Sequence, residues 1–418
     1  MEYSPVYIRS RFPALAAGAV FFDGPGGTQV PQAVLDAVSD YYRSANANEH
    51  GLFATSKRSD EIIKSARQAI ADFINARSAN EIIFGANMTT LTLHLARALG
   101  RTLSPGDEIV VTRLDHDANI APWLFLQEQG AVIRWLEFNP RDCTLDLSVL
   151  ERVINSKTKI VAVGYASNAF GTISDVPKII SLAKSRGALT FVDAVHYAPH
   201  RPIDVQFLDC DFLACSPYKF YGPHAGVLFG KKEILEELSP YKVRPAAEHI
   251  PDCFETGTKN HEGLAGVAAA IDFLSALGEE YGQADNPAFA AYGPGRRCFL
   301  KQALEVIKNH ESRLFLNLLA GVRKIPGIRI YGISEPERIE ERTATLSFTL
   351  SGKAPTEIAR LLSEQRIYVW EGNYYAWEAM RFLGLEKKGG AVRVGLSLYN
   401  TEKEVSYFLT VLQKIVAG

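Results

Sequence analysis

Short apolar runs alternate with longer amphipathic segments through the first half of the chain. The runs are rich in Ile, Val, Leu and Phe, which is typical of buried strands. The predicted strands are 81–84, 107–112, 131–136, 159–165, 189–193, 212–215 and 226–230. Apolar residues at helical spacing predict helices between them, for example over 90–99 and 176–186. The alternation predicts a seven-stranded, mostly parallel sheet with helices on both faces, and such sheets bind ligands at the carboxyl ends of their strands.

The pattern changes near residue 280. A helix is predicted around 264–277, and the stretch 278–297 that follows is polar and rich in glycine and proline. Beyond it, predicted strands at 328–331 and 345–350 lie among helical segments. Two domains are the ordinary arrangement for a chain of 418 residues. We therefore expect an N-terminal segment over 1–20, a large domain over 21–280 and a small α+β domain over 290–418.

Composition and charge exclude several classes of partner. Hydrophobic residues make up 47% of the chain and charged residues 22%, and the net charge is -2. Because no basic excess is present, nucleic acid is not expected as a partner. The chain contains no run of about eighteen apolar residues, so no membrane span is predicted. The first residues lack the pattern of a secretion signal. The five cysteines include no CxxC pair, so we expect a cytoplasmic protein without a disulfide scaffold.

Two motifs suggest a metal site or a nucleotide-binding site, but each lacks a feature that such a site requires. His196 and His200 are four residues apart, but Pro199 between them argues against a zinc-binding helix. The glycine-rich stretch 24–27 lacks the spacing of a nucleotide-binding loop. We therefore expect no metal site.

A lysine and an aspartate follow two of the predicted strands. Lys219 comes after 212–215, within Tyr218-Lys219-Phe220-Tyr221-Gly222. Desolvation there would lower its pKa, as a lysine that forms a Schiff base requires, although an ordinary surface lysine is the alternative. Asp193 closes the strand 189–193, where its carboxylate either faces a ligand or caps a helix.

A histidine and two threonines occupy similar places. His116 lies on the loop after 107–112 and either stacks on a flat ligand or is a surface histidine. Thr89 and Thr90 precede a helix and offer hydroxyl and N–H groups to a phosphate, or cap the helix, or do both. A lysine, a carboxylate, a flat ring and phosphate donors are what pyridoxal 5'-phosphate (PLP) requires of a protein. The sequence therefore predicts a PLP site.

These residues occur in an order that resembles the class V aminotransferase family, most closely its cysteine desulfurase branch. The resemblance extends from 21–23 to 398–401. Its motifs are Asp115-His116-Asp117-Ala118-Asn119, Ser167-Asn168-Ala169-Phe170-Gly171-Thr172, Ser216-Pro217-Tyr218-Lys219, Phe254-Glu255-Thr256-Gly257-Thr258 and Val392-Arg393-Val394-Gly395-Leu396-Ser397. It implies the type I fold of PLP-dependent transferases, with a large α/β domain and a smaller C-terminal domain.

The resemblance also implies roles around the cofactor ring. Lys219 would hold PLP as a Schiff base, Asp193 would face the pyridine nitrogen, and His116 would stack on the ring. Asn168 would lie near the phenolic oxygen. His196, which stands where desulfurases usually carry glutamine, is also an expected cofactor contact.

Phosphate and substrate contacts follow from the same resemblance. Ser216 would bind the phosphate together with Thr89 and Thr90, and Tyr218 replaces a histidine beside the lysine. Thr258 belongs to a segment that reaches the phosphate of the neighbouring subunit's cofactor, which implies a homodimer with shared active sites. The expected contacts to an amino-acid substrate are Arg393, Asn168 and Tyr374, and the guanidinium of Arg393 suits an α-carboxylate because it binds bidentately.

One departure from the family decides the expected reaction. Desulfurases carry a nucleophilic cysteine on a loop that corresponds to 371–376, and here Tyr375 stands in its place. Trp370 replaces an arginine that helps to bind cysteine, and Cys253 is the one other cysteine expected near the site. We therefore expect a C–S (β-elimination) lyase or an aminotransferase, with Tyr375 as acid, base or aromatic wall. The alternatives are a true cysteine desulfurase, an isopenicillin N epimerase-like racemase and a non-catalytic PLP-fold binding protein.

Overall fold

A computed structural model describes residues 3–283 and 286–417 of the chain. The strands, in chain order, are β1 (Val20–Phe21), β2 (Ile82–Gly85), β3 (Glu108–Thr112), β4 (Val132–Leu136), β5 (Thr158–Gly164), β6 (Leu189–Asp193), β7 (Phe212–Cys215), β8 (Gly226–Gly230), β9 (Ile328–Tyr331), β10 (Thr345–Leu350), β11 (Ile367–Tyr368), β12 (Trp370–Gly372) and β13 (Ala391–Gly395). The helices are α1 (Pro5–Ser10), α2 (Gln32–Ser44), α3 (Ala54–Ile74), α4 (Met88–Gly100), α5 (Ala121–Leu124), α6 (Leu150–Val153), α7 (Val176–Ser185), α8 (Val205–Leu208), α9 (Lys232–Glu237), α10 (His261–Tyr281), α11 (Arg296–Val322), α12 (Pro355–Glu364), α13 (Trp377–Phe382) and α14 (Glu402–Ala417).

Seven strands form the large sheet, in the order β2-β8-β7-β6-β5-β3-β4. Neighbouring strands are parallel except at β8, which runs antiparallel to both β2 and β7. The mostly parallel seven-stranded sheet is confirmed. The helix expected over 90–99 begins earlier, at Met88, because the side chain of Asn87 caps it by accepting the N–H of Thr90 at 2.9 Å.

Alternating residues of the same strands enter two different cores. On β5, Val161 and Val163 belong to one buried cluster, whereas Ile160 and Ala162 belong to another. Successive side chains of a strand point to opposite faces of a sheet, so each cluster covers one face. A sheet buried on both faces requires apolar residues at nearly every strand position, which is why the strands read as continuous apolar runs.

A four-stranded antiparallel sheet, β12-β13-β10-β9, organises the C-terminal part of the chain and has its own core. The N-terminal strand β1 pairs with β11, so the stretch around residue 20 lies beside this smaller unit. Helix α11 joins the two cores, since Leu304 packs in the larger one and Leu318 in the smaller. A boundary near 280–290 stays a proposal; it precedes this helix, whose first half still packs in the larger core.

The topology brings the candidate residues to one edge of the large sheet. Strands β2, β3, β5, β6 and β7 all run in the same direction, and β8 alone runs against them. The residues that follow their carboxyl ends are Thr89, His116, Asn168, Asp193 and Lys219. Among the described residues, no helix combines the length and the apolar character needed to cross a membrane.

Candidate active site

Lys219 lies in a buried turn directly after β7. Pro217 begins this turn, and the Nζ of Lys219 donates a hydrogen bond to the carbonyl of Pro25. Nζ also lies 4.7 Å from the centre of the Tyr218 ring. Burial, the largest cause, and the charge of Arg393 together lower the pKa of Lys219 from 10.5 to about 7, against the opposing charges of Asp193 and Asp23. The amine is therefore much closer to its neutral, nucleophilic form than a surface lysine.

Asp193 ends β6 with a buried carboxyl group. Its Oδ1 accepts the N–H of Val195 at 2.9 Å, and Lys219 supplies the nearby positive charge. Burial raises the pKa of Asp193 to about 6, while the hydrogen bond and the lysine oppose that rise. A carboxylate held in this way stabilises a cation placed against its free oxygen.

His116 lies above the same edge and is held by its own loop. Its Nδ1 accepts the N–H of Ala118 at 3.0 Å, which leaves the proton of the neutral ring on Nε2. Burial lowers the pKa of His116 to about 4. The loop is supported by Asp115, which accepts hydrogen bonds from Thr112 at 2.7 Å and from Gly164 at 2.9 Å. Asn119 Nδ2 is a third donor to this carboxylate, at 2.8 Å. Sequence reasoning did not assign this supporting role to Asp115, because Gly164 is on another strand.

Tyr375 packs against the outer side of His116. The two rings are nearly parallel, 14° apart, with centres separated by 5.4 Å. The backbone of Tyr375 is also held, since its carbonyl accepts the N–H of Asp117 at 2.7 Å and its N–H donates to Asn373 at 3.0 Å. The side chain itself is largely exposed, at 72%. The structure therefore brings Tyr375 against His116, and its role as acid, base or aromatic wall stays a prediction.

Arg393, Tyr374 and Asn168 form the side of the site contributed by both units. Arg393 Nη1 donates to the carbonyl of Asn168 at 2.9 Å, and its guanidinium carbon lies 4.4 Å from the centre of the Tyr374 ring. Asn168 Nδ2 donates to the carbonyl of Tyr374 at 2.8 Å. Within the described residues, Nε of Arg393 and Oδ1 of Asn168 are buried without partners. A buried donor and a buried acceptor left free here are suited to a polar ligand.

His196 faces the smaller unit with one of its ring nitrogens. Its Nε2 lies 3.0 Å from the hydroxyl of Thr345 and 3.2 Å from that of Thr343. Burial lowers the pKa of His196 well below its usual value. The Nδ1 atom has no hydrogen bond among the residues described here, so a cofactor contact through this atom stays a prediction.

The expected phosphate residues are differently exposed. Thr89 and Thr90 are exposed at the start of α4, where Thr90 donates its hydroxyl proton to the carbonyl of Asn87 at 2.9 Å. Neither threonine is the helix cap, because Asn87 has that role. Ser216 is buried beside the lysine turn, and Thr258 is exposed on a separate loop. The Tyr218 ring stacks on that of His224 with their centres 4.8 Å apart.

Asp23 is a further site residue that sequence reasoning did not single out. Its Oδ1 is buried without a partner among the described residues, and the charges of Arg393 and Lys219 act on it. Burial raises the pKa of Asp23 to about 6. The sequence feature that could have identified Asp23 is its position as a carboxylate directly after the apolar pair Phe21-Phe22.

The residues at this edge fit PLP. The buried lysine is close enough to a buried aspartate and a neutral histidine that its charge lowers the pKa of both Asp193 and His116, and Asp193 raises the pKa of Lys219 in return. The unpartnered Asn168 Oδ1 offers an acceptor to a hydroxyl group. Ser216 and the exposed start of α4 supply donors for a phosphate.

Known proteins match the chain over nearly its whole length. The family model described as aminotransferase class-V matches residues 20–296 and 282–408. A cysteine desulfurase of Serratia proteamaculans is 32% identical over 436 residues, which cover 99% of each chain. A probable cysteine desulfurase of Streptomyces coelicolor is 34% identical over 95% of this chain and 92% of its own.

Solved structures agree with these matches. The apo structure of a cysteine desulfurase from Thermococcus onnurineus superimposes with a TM-score of 0.88 at 29% identity and covers all of both chains. The cysteine desulfurase CsdA of Escherichia coli, in its S-sulfonic acid form, superimposes with a TM-score of 0.84 at 28% identity, covering 100% of this chain and 99% of the other.

Proposed function

The chain belongs to the class V aminotransferase family as a cysteine desulfurase-like, PLP-dependent enzyme, and we propose that it is a C–S lyase. In this proposal the enzyme breaks the Cβ–S bond of an amino acid by β-elimination. It forms no persulfide on the protein. The observation that carries the proposal is Tyr375, stacked on His116 at the place where the resemblance expects a cysteine.

The cysteines of the chain support this proposal. A nucleophilic cysteine needs access to substrate and a lowered pKa. Burial instead raises the pKa of Cys143 to about 12 and raises those of Cys210, Cys215 and Cys253. The remaining cysteine, Cys298, lies at the start of α11, outside the cluster of site residues. All five are free thiols, which supports the expected cytoplasmic location.

Each site residue has a defined task in this proposal. When PLP is bound, Asp193 would supply the carboxylate that keeps the pyridine nitrogen protonated, and His116 would supply the flat ring against the cofactor. Bound PLP supplies an electron sink that makes the Cα proton of an amino acid acidic. Arg393 holds the α-carboxylate through Nε and Nη2. Lys219, released as a free amine, takes the Cα proton on Nζ.

The overall reaction balances without an external oxidant or reductant. As the Cα proton passes to Lys219, the Cβ–S bond breaks and its electron pair leaves with sulfur. The leaving thiolate takes up a proton, and the three-carbon fragment is hydrolysed by one water molecule. One S-substituted cysteine and one water therefore give a thiol, pyruvate and ammonium.

We also propose a homodimer with shared active sites. Thr258 is exposed, and the neighbouring Lys259 pairs with Glu49 at 2.7 Å. Beside this pair, Leu52 and Phe53 are 91% and 59% exposed. Apolar side chains exposed at this level are typical of a surface that a partner covers, so the same face would bring Thr258 to a neighbouring subunit.

Mixing two inactive variants tests the shared site. In a Lys219→Ala and Thr258→Val heterodimer, one site contains both native residues, so mixing should restore activity. Mixing that restores none, or a monomeric protein by sedimentation, would overturn the shared site.

Product analysis tests the lyase itself. Purified holoenzyme is given a panel of amino acids while pyruvate, ammonium, thiol and sulfide are assayed and the cofactor spectrum is recorded. We expect pyruvate, ammonium and thiol in equal amounts from S-substituted cysteines. A keto acid that retains its side chain would establish transamination instead, and protein-bound persulfide from cysteine would establish desulfuration.

A further inference from the structure

A cavity of about 220 Å³ opens beside the lysine turn. Its wall includes Gly26 and Gly27, which follow the carbonyl that accepts the Lys219 hydrogen bond. Tyr218 and Trp370 line it as well. Pockets for drug-sized ligands measure roughly 300–1,000 Å³. The smaller cavity therefore has room for one amino-acid side chain.

Trp370 lies directly next to the residue proposed to bind the α-carboxylate. Strands β12 and β13 are antiparallel, and Trp370 is the register partner of Arg393. Side chains directly opposite each other in such a pair lie on the same face of the sheet. An amino acid whose carboxylate is held by Arg393 therefore lies alongside the indole of Trp370.

Glycine at position 26 creates the space for this indole. A Cβ atom built on Gly26 would collide with Nε1 and Cδ1 of Trp370. The indole thus packs against bare backbone, and it is still half-exposed toward the opening. The short glycine stretch, which has no nucleotide-binding spacing, has a specific use here.

The charge on the cavity wall is negative. Asp23 is its one carboxylate, and no Lys or Arg side chain is among the described residues that line it. Asp23 also has no hydrogen-bond partner at Oδ1 among those residues. A substrate side chain that carried a carboxylate or sulfinate would meet the like charge of Asp23, and the two cations that act on Asp23, Arg393 and Lys219, are assigned in the proposed function to the α-carboxylate and the cofactor. The aromatic walls, in contrast, favour an apolar group.

We propose that Trp370 and Asp23 select amino acids with an apolar or aromatic side chain and reject anionic ones. This inference rests on the proposed function and specifies its substrate class. If the enzyme is a lyase, the substrates are S-alkyl and S-aryl cysteines, whose thioether substituent packs on the indole.

Specificity constants test the inference. S-benzyl-L-cysteine and L-cysteine sulfinate are compared by kcat/KM, and by the apparent Kd from the cofactor spectrum. We expect S-benzyl-cysteine to be preferred by the native protein. Trp370→Arg should reduce the preference by roughly 10- to 200-fold, the range typical of altered side-chain contacts, mainly through KM. Trp377→Arg is the matched control, because Trp377 is a partly exposed tryptophan on the next helix, and its ratio should stay native.

A second variant changes the backbone residue against which the indole of Trp370 packs. Gly26→Ala should displace Trp370 and lower the preference in the same direction. A native preference for the sulfinate, or an unchanged ratio in both Trp370→Arg and Gly26→Ala, overturns the inference. Failure of the proposed function is distinguishable, because the product assay then gives a keto acid that retains its side chain, or protein-bound persulfide, in place of pyruvate and thiol, whereas the apparent Kd still reports the side-chain preference.

Discussion

The lowered pKa of Lys219 leads to a quantitative prediction for how the apoprotein takes up PLP. An amine must be neutral to attack the aldehyde of the cofactor. Burial lowers the pKa of Lys219 from 10.5 to about 7. At pH 7 about half of the Lys219 amines are then neutral, against roughly one in three thousand for an unperturbed lysine. The reactive population is therefore larger by roughly three orders of magnitude.

The rate of PLP uptake by the apoprotein measures this pKa. We expect the rate constant to rise with pH and to level off above about pH 8, with a midpoint near 7. The reaction of PLP with N-acetyl-lysine in the same buffers corrects for titration of the cofactor itself. A corrected midpoint near that of free lysine would refute the argument from burial.

Two variants test the sign of the nearby charges. Arg393 lowers the pKa of Lys219, and Asp23 raises it. The midpoint should therefore move up in Arg393→Gln and down in Asp23→Asn. Shifts in the same direction in both variants would mean that these charges do not act on the lysine as the structure indicates.

Four further variants check separate parts of the structure. Lys219→Ala should abolish the borohydride-reducible bond to PLP, and persistence of that bond by mass spectrometry would refute the assignment. Asp193→Asn should still bind PLP but lose roughly 10²–10³-fold in turnover, the usual cost of removing one positioned electrostatic partner; near-native turnover would count against its role. Tyr375→Cys should yield no more sulfur transfer from cysteine than Tyr375→Ser, as measured by alkylation of persulfide. Lys301 is fully buried, and burial lowers its pKa to about 7. Between pH 7 and 9 the unfolded state therefore binds more protons than the native state, and the free energy of unfolding should rise by about 2 kcal/mol. Urea unfolding measures this rise, which should be missing in Lys301→Met.

The sequence was most informative where strands end. A strand buried on both faces has a readable pattern, and the residue after it must emerge at the edge of the sheet. Lys219 and Asp193 were identified in this way. The contacts of Arg393 could not be identified from the sequence, because its hydrogen bond to the carbonyl of Asn168 joins positions 225 residues apart. Asp23 could not be identified from the sequence for the same reason, since its two charged neighbours, Arg393 and Lys219, come from distant parts of the chain.

The residue types in the loop 371–376 were enough to predict that the usual cysteine is missing. They were not enough to predict that the loop is rigid. Tyr374 and Tyr375 have φ angles of 53° and 58°, a region that tyrosine rarely adopts. Each such residue costs on the order of 1–3 kcal/mol and persists only where its surroundings hold it. Here the side-chain amide of Asn168 and the backbone N–H of Asp117 donate to carbonyls of the loop and hold it, together with the stack on His116.

A loop held in this way bears directly on how sulfur would leave the site. Carrying a persulfide to an acceptor requires residue 375 to move away from the cofactor. Such a movement here would break two hydrogen bonds to the loop's carbonyl oxygens, one from a side chain and one from the backbone, and an aromatic pair worth about 0.5–1.5 kcal/mol. A diffusible thiol needs no such movement, because it is not attached to the loop. The contacts that hold the loop therefore support the proposed β-elimination, and one of them, the stack on His116, depends on Tyr375 itself.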